Sequence, residues 1–197
     1  GSITVSATVD GNYEGTLSKT FDITKKAFES DMIEIILSSV LYTGSSIDAT
    51  IKVTYNGIEL SNEDDYSYFI TGPNGFVEQI IDAGKYTVVI VAMSSNYSGK
   101  AYEYFTINPK EVDVVWNYTE PYTYDETNQG SKVQGYFMDT NNNQVPITVT
   151  FSGKSSEFKD AGLYFANAST TNPNYKLTNQ QLQVEINPKL VDVDWTY

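Results

Sequence analysis

The 197 residues carry 25 acidic side chains against 12 basic ones, a net charge of −13, and every base is lysine. Without arginine or a basic stripe the chain cannot neutralise a run of phosphates, which excludes nucleic acid as a partner and disfavours anionic membrane surfaces. The absence of Cys and His removes disulfides, Cys/His zinc sites, and Ser-His-Asp or Cys-His catalysis.

No apolar run approaches the ~20 residues of a membrane span, so no membrane insertion is expected. A hydrophobic share of 40%, with 14% aromatic residues, is enough for packed cores. Sixteen tyrosines, many beside Val, Ile and Thr, favour strands over helices.

In chain order, the first predicted strand has Ile3, Val5, Ala7 and Val9 alternating with Thr4, Ser6 and Thr8. Phe28 to Leu37 follows, with Phe28, Met32 and Ile36 at helical spacing. Its counterparts later in the chain read as strand, so it is assigned as strand too. Ile51, Val53 and Tyr55 form the next alternation, closed by Asn56-Gly57. Gly72-Pro73-Asn74-Gly75 supplies a further turn. Val112, Val114 and Trp116 alternate, then Ile147, Val149 and Phe151 after the Asp139 to Gln144 turn. Leu182, Val184 and Ile186 precede Val191, Val193 and Trp195. About six or seven short strands in each ~80 residues indicate an all-β fold of tandem small β-sandwich (Ig-like) or β-grasp-like repeat domains.

Internal repetition is the strongest signal. Asp82-Ala83-Gly84-Lys85-Tyr86 recurs 78 residues on as Asp160-Ala161-Gly162-Leu163-Tyr164. Eleven residues after each tyrosine stands the tyrosine of an Asn-Tyr pair, Asn96-Tyr97 and Asn174-Tyr175. Phe105-Thr106-Ile107-Asn108-Pro109-Lys110 recurs as Val184-Glu185-Ile186-Asn187-Pro188-Lys189. The Val112 to Tyr118 stretch recurs as Val191 to Tyr197. Asn12-Tyr13 and Phe21-Asp22-Ile23 form the tail of a further copy. The expected organisation is therefore 1–27 as the C-terminal part of a preceding repeat, 28–109 and 110–188 as full repeats, and 189–197 as the first strand of a following one. The connectors carry Pro109 and Pro188, which stiffen each junction.

The candidate sites weigh toward structural roles. Asp139-Thr140-Asn141-Asn142-Asn143 opens like a calcium loop but lacks the glycine and closing Glu. Glu63-Asp64-Asp65 reads as an exposed turn. Trp116 and Trp195 recur with their strand, as core residues do. The triplets at Asn96, Asn117 and Asn167 satisfy the glycosylation pattern, a short pattern from which no site is assigned. No Ser-x-x-Lys or Gly-x-Ser-x-Gly element is present, and no Lys, amide and carboxylate triplet for an isopeptide cross-link appears in both repeats. No catalytic residue, metal ligand or cofactor is assigned, no binding residue can be named, and the chain is not expected to be an enzyme.

Ala83-Gly84-Lys85-Tyr86-Thr87-Val88, Asn96-Tyr97-Ser98-Gly99, Phe105-Thr106-Ile107 and Leu41-Tyr42-Thr43-Gly44 together resemble the MBG/YDG-type and related Ig-like tandem repeats of bacterial surface, adhesin-like proteins. Thr123-Tyr124-Asp125 matches the Leu-Tyr-Thr-Gly opening more loosely. The second repeat departs from the pattern, with Lys176-Leu177 after its Asn-Tyr pair and Val184 in place of Phe105. The resemblance implies non-catalytic spacer or stalk repeats of a secreted or cell-surface protein, extracellular or wall-associated, projecting a functional region from the cell. Neighbouring repeats of the same chain are then the first partners. The alternative is an adhesin module that takes a glycan or a host or bacterial surface protein, marked by a solvent-facing aromatic row or pocket that differs between repeats.

Overall fold

The structure, a computed structural model, describes residues 1–154 and 157–195. It is built from small, open β-sheets, and the helical turns among the described residues are 3-10 turns at Ser30–Met32 and Gly130–Lys132. The chain divides into two compact units. The first comprises Gly1–Leu37, Ala49–Glu78 and Lys85–Phe105; the second comprises Ser38–Asp48, Gln79–Gly84 and the chain from Thr106 onward.

In the first unit, β1 (Ser2–Thr8) and β2 (Thr16–Asp22) form a hairpin exposed on both faces. One face pairs hydroxyls, Thr4 with Thr20 at 2.9 Å and Ser6 with Ser18 at 2.8 Å. The other carries Ile3, Val5, Leu17 and Phe21. Then come β3 (Lys26–Ala27), β4 (Ile33–Leu37), β5 (Ala49–Tyr55), β6 (Ile58–Glu59), β7 (Tyr66–Gly72), β8 (Gly75–Val77), β9 (Gly84–Ala92), β10 (Tyr97–Ser98) and β11 (Lys100–Ile107). The sheets run β4-β5-β6 and β11-β9-β7-β8, while β3 and β10 pair in parallel. Both sheets feed one core of Ile51 and Val53 from β5, Tyr66 from β7, Val88 and Ile90 from β9 and Ala101 from β11, closed by Phe28 and Met32.

The continuous strand expected over Phe28 to Leu37 is corrected. A 3-10 turn at Ser30–Met32 interrupts it, and the strand begins at Ile33. The physical reason is the spacing itself. One turn brings Phe28 and Met32 to the same core, whereas Ile36 lies 46% exposed and follows the strand instead. Asn56 (φ 50°) and Gly57 (φ 77°) are both left-handed, the conformation of a two-residue hairpin turn that matches strand twist.

The second unit contains β12 (Lys110–Asp113), β13 (Val115–Trp116), β14 (Tyr122–Thr123), β15 (Gly135–Met138), β16 (Gln144–Pro146), β17 (Thr148–Gly153), β18 (Gly162–Ser169), β19 (Tyr175–Thr178) and β20 (Gln181–Asn187). The sheets run β13-β15-β16 and β14-β20-β18-β17, with β12 and β19 paired in parallel. One buried cluster gathers Val133, Phe158, Tyr164, Ala166, Val184 and Ile186, and a second gathers Val114, Phe137, Ala168, Tyr175 and Leu177. The segments 38–48 and 79–84 join this unit through the Leu41–Asn108 and Ile47–Ile80 bridges.

Matching pairings occur at corresponding places. Lys26 N donates to Asn96 O, and Lys110 N to Asn174 O, both at 2.9 Å. Tyr42 N donates to Asn108 O at 2.8 Å, and Tyr124 N to Asn187 O at 2.9 Å. Tyr86 and Tyr164 are both fully buried, and each lies against a strand-end glycine, Gly72 and Gly153. The expected strand at 189–197 is not formed over its described residues, 189–195, which carry no pairing and leave Val191, Val193 and Trp195 exposed. Its counterpart β12 is held by β19, and no described strand stands in that relation to Val191.

Candidate functional site

The Asp139 turn closes on itself. Asp139 Oδ1 accepts from the Asn141 and Asn143 amides, both at 2.8 Å, and Oδ2 from Asn143 Nδ2 at 3.1 Å. Those donors, the Asn143 amide first, hold its carboxyl below the usual carboxylate range. Asn142 takes φ 60°, which the amide side chain tolerates. This geometry is a satisfied turn joining β15 to β16.

The Glu63-Asp64-Asp65 cluster is also a turn. Asp65 Oδ2 accepts from Ser61 N at 3.1 Å and Asp64 Oδ2 from Ser61 Oγ at 2.8 Å, while Glu63 sits at φ 77°. Among the described residues no group of three Asp or Glu side chains is gathered to hold a metal ion.

Asp125 is shifted further than Asp139. Asp125 accepts from Thr127 Oγ1 at 2.7 Å, from Thr127 N at 3.0 Å and from Lys132 Nζ at 3.0 Å. The Thr127 hydroxyl, then Lys132, pull its pKa from 3.8 to about 2. Lys132 also reaches Gln129 Oε1, and Gln129 is the one buried polar side chain among the described residues. The group therefore fixes a loop, and it lacks the buried carboxylate that an isopeptide triad needs.

Trp116 packs against both clusters of the second unit and donates from Nε1 to Asn179 O at 3.2 Å. Asn117 is engaged on both sides, its Nδ2 donating to Lys132 O and its Oδ1 accepting from Gln134 N. Trp195 stands 81% exposed.

An open cleft of about 690 Å³ in the second unit is lined by residues such as Asn128, Gln134, Ile147 and Phe151. None of its lining residues is ionisable, so it offers no general acid or base. A cleft of about 520 Å³ beside Asn108-Pro109 has Lys110, Glu111 and Lys176 at its rim, with Lys176 and Glu111 paired at 2.7 Å in solvent. An exposed ion pair is weak scaffolding for catalysis.

Sequence reasoning named an aromatic row as a discriminator without locating one. Four exposed aromatic side chains lie on one face of the β11-β9-β7-β8 sheet. Val88, Ile90, Ala101 and Phe105 face the core, so Val91, Tyr102 and Tyr104 face outward, and Val89 lies on that outer side but is itself buried. Phe69 pairs with Val89, and Thr71, on the same face as Phe69, pairs with Phe76. Phe69, Phe76, Tyr102 and Tyr104 are 39%, 67%, 48% and 64% exposed. The unbroken apolar run Val88 to Val91 hid which face was which. Alternation of Ala101 and Phe105 with the two tyrosines was the available signal.

No family model matches the sequence, and no curated protein matches it.

Proposed function

We propose that 28–109 and 110–188 are tandem copies of one small sandwich-like module, and that the chain is a non-catalytic spacer of a secreted or cell-surface bacterial protein. The observation that carries this reading is the recurrence of one pairing scheme. Sheet order β11-β9-β7 corresponds to β20-β18-β17, β4-β5-β6 to β13-β15-β16, and the parallel pair β3/β10, with β3 just ahead of residue 28, to β12/β19. A buried tyrosine adds to it. Tyr164 returns its hydroxyl to Asp160 O at 2.9 Å, as the corner tyrosine of Ig-like sandwiches returns to upstream backbone. The MBG/YDG-type resemblance supplies the surface setting.

Small-angle scattering on chains carrying two, three and four copies of 110–188 tests the spacer. Its maximum dimension rises in proportion to copy number if the modules act as a stalk, and a dimension that plateaus overturns the reading. Protease shaving of intact source cells, followed by detection of the released segment with antibody, tests the location.

A second reading is favoured by one observation, the outward aromatic face of Phe69, Phe76, Tyr102 and Tyr104. Aromatic rings in a row stack on sugar faces and anchor protein partners. As an adhesin, the module would take a neutral glycan or a surface protein there.

A further inference from the structure

Asp-Ala-Gly and Asn-Tyr both recur; Tyr175 belongs to a buried cluster and Tyr97 packs against another, but the Asp and the Asn have no place in either core. Within the second compact unit these two motifs meet. Asn174 Oδ1 accepts from the Ala83 amide at 2.6 Å, and Asn174 Nδ2 donates to Asp82 Oδ1 at 2.8 Å. The Asn174 side chain is thus used on both edges, by two residues more than 90 positions away in sequence. Its loop is pre-set. Asn172 Oδ1 accepts from Asn174 N at 3.0 Å, and the Asn174 carbonyl holds Lys110 N.

A collar surrounds this clamp. Tyr42 packs edge-on against Tyr175 at 5.3 Å, and Thr140 N donates to Tyr175 Oη at 3.1 Å. A Cβ on Gly44 would collide with the Thr140 hydroxyl, so the Leu-Tyr-Thr-Gly glycine permits that approach. Asp82, Ala83, Tyr42 and Gly44 lie in 28–109 by the repeat frame, whereas Thr140, Asn174 and Tyr175 lie in 110–188.

We infer that Asp-Ala of one repeat and the Asn of Asn-Tyr in the next form a repeat-to-repeat clamp, and that Asp160-Ala161 is the docking surface for the Asn-Tyr end of a further copy. The inference rests on the tandem-module reading. It explains why the Asp and the Asn recur with the fold, since each copy must present one end to a predecessor and the other to a successor. Burial follows the same division. Ala83, the clamped member, is buried, whereas its counterpart Ala161 is only half-buried. Glu126, at φ 69°, holds the place of Gly44 in the second repeat, so the collar there has to accommodate a side chain. The Asp-Ala hydrogen bonds do not depend on that position.

Hydrogen exchange resolved to single amides tests the clamp. In this chain, Asn174→Ala speeds exchange of the Ala83 amide by about tenfold, the loss of two hydrogen bonds, and leaves the β17–β18 amides unchanged. Asn174→Asp sets a carboxylate against Asp82 and weakens the clamp further, and adding Asp82→Asn restores an amide donor and most of the protection. An Ala83 rate unmoved by Asn174→Ala overturns the clamp while leaving the tandem reading intact. The second arm fuses residues 1–188 to a further copy of 110–197. Ala161 protection rising to the level of Ala83 supports the docking surface, and an unchanged Ala161 beside a folded added copy overturns it. If the added copy's own sheet amides stay unprotected, the tandem reading fails and the inference falls with it.

Discussion

β9 and β18 are alike on one face and differ on the other. Inward, Tyr86, Val88 and Ile90 correspond to Tyr164, Ala166 and Ala168, and all six are buried. Outward, β9 and its neighbours present Val91, Phe69, Tyr102 and Tyr104. The outer face around β18 exposes Leu163 and Phe165 too, at 50% and 39%, but pairs them with Glu185 and Gln183 and links Asn167 to Ser152 and Gln181 at 3.1 and 3.0 Å. Strand alternation permits this separation, because successive side chains point to opposite faces. The inner face decides whether the sheet packs, and the outer face is left free to decide what the sheet meets.

If the inner faces are equivalent, removing either tyrosine has the same large effect. Tyr86→Ala and Tyr164→Ala should each cost about 3–5 kcal/mol, the range for deleting a buried aromatic side chain. Tyr86 stacks on Phe105 at 5.0 Å and Tyr164 meets Phe158 edge-on at 4.6 Å, so each loss opens a cavity among other aromatic rings. Denaturant melts followed by amide exchange in each unit measure it, and a cost below ~1 kcal/mol for either one breaks the comparison.

The glycines facing those tyrosines sharpen it. A Cβ at Gly72 would stand 2.7 Å from Tyr86 Cε1, whereas one at Gly153 would stand 3.0 Å from Leu163 O and 3.1 Å from Tyr164 Cα. Both Ala variants overpack, at about 1–3 kcal/mol. Gly153→Ala should be the costlier, because its obstacle is backbone and its φ is 132°. Equal melting shifts would show that the ring at Gly72 is as immovable as a strand.

A smaller contrast lies in two matching turns. Ser45 N closes on Thr43 Oγ1 at 3.2 Å, and Thr127 N closes on Asp125 Oδ1 at 3.0 Å. Only the second can titrate. Because the folded pKa of Asp125 is depressed from 3.8 to about 2, its contribution is present above pH ~4 and lost as pH falls toward 2. Amides of 122–132 should therefore lose protection across that window while those of 41–47 do not, and Asp125→Asn should remove the difference. Asp139 shifts in the same direction, so the local readout is needed instead of the global melt.

Much of the inner architecture was legible in the sequence. Period-two alternation located Ile51 and Val53, Asn56-Gly57 carried its own turn chemistry, and the repeat aligned Tyr86 with Tyr164. The 3-10 turn at Ser30–Met32 was hidden because Phe28 and Met32 at helical spacing also suit a strand edge. Val191 to Trp195 shows the converse, since alternation supplies a face but no pairing partner. The parallel pairs β3/β10 and β12/β19 join segments tens of residues apart, where periodicity carries no information. The Asn174 clamp was legible only as an unexplained polar recurrence. Its meaning needed the contact with Asp82 and Ala83.

The last contrast concerns the outer faces, where the expected effect on stability is smallest. Tyr102 and Tyr104 are 48% and 64% exposed, and their strand is held from the other side by Ala101, Phe105 and Ile107. Tyr102→Ser with Tyr104→Ser should therefore change stability by about 0.5 kcal/mol or less, as surface substitutions do. The same pair tests the binding reading, because it removes stacking surface without touching the core. Screening the chain and this double variant against immobilised neutral glycans separates the outcomes. Binding that the double variant loses assigns the aromatic face to a ligand. Binding that survives moves the ligand elsewhere, and no binding by either chain leaves the spacer reading as the one the face must serve. Glu185→Gln with Gln183→Ser, on the outer face around β18, changes neither stability nor binding if the two faces have diverged in role. Should it abolish binding instead, the ligand surface belongs to the second repeat, and the aromatic row is a surface left uncovered for another purpose.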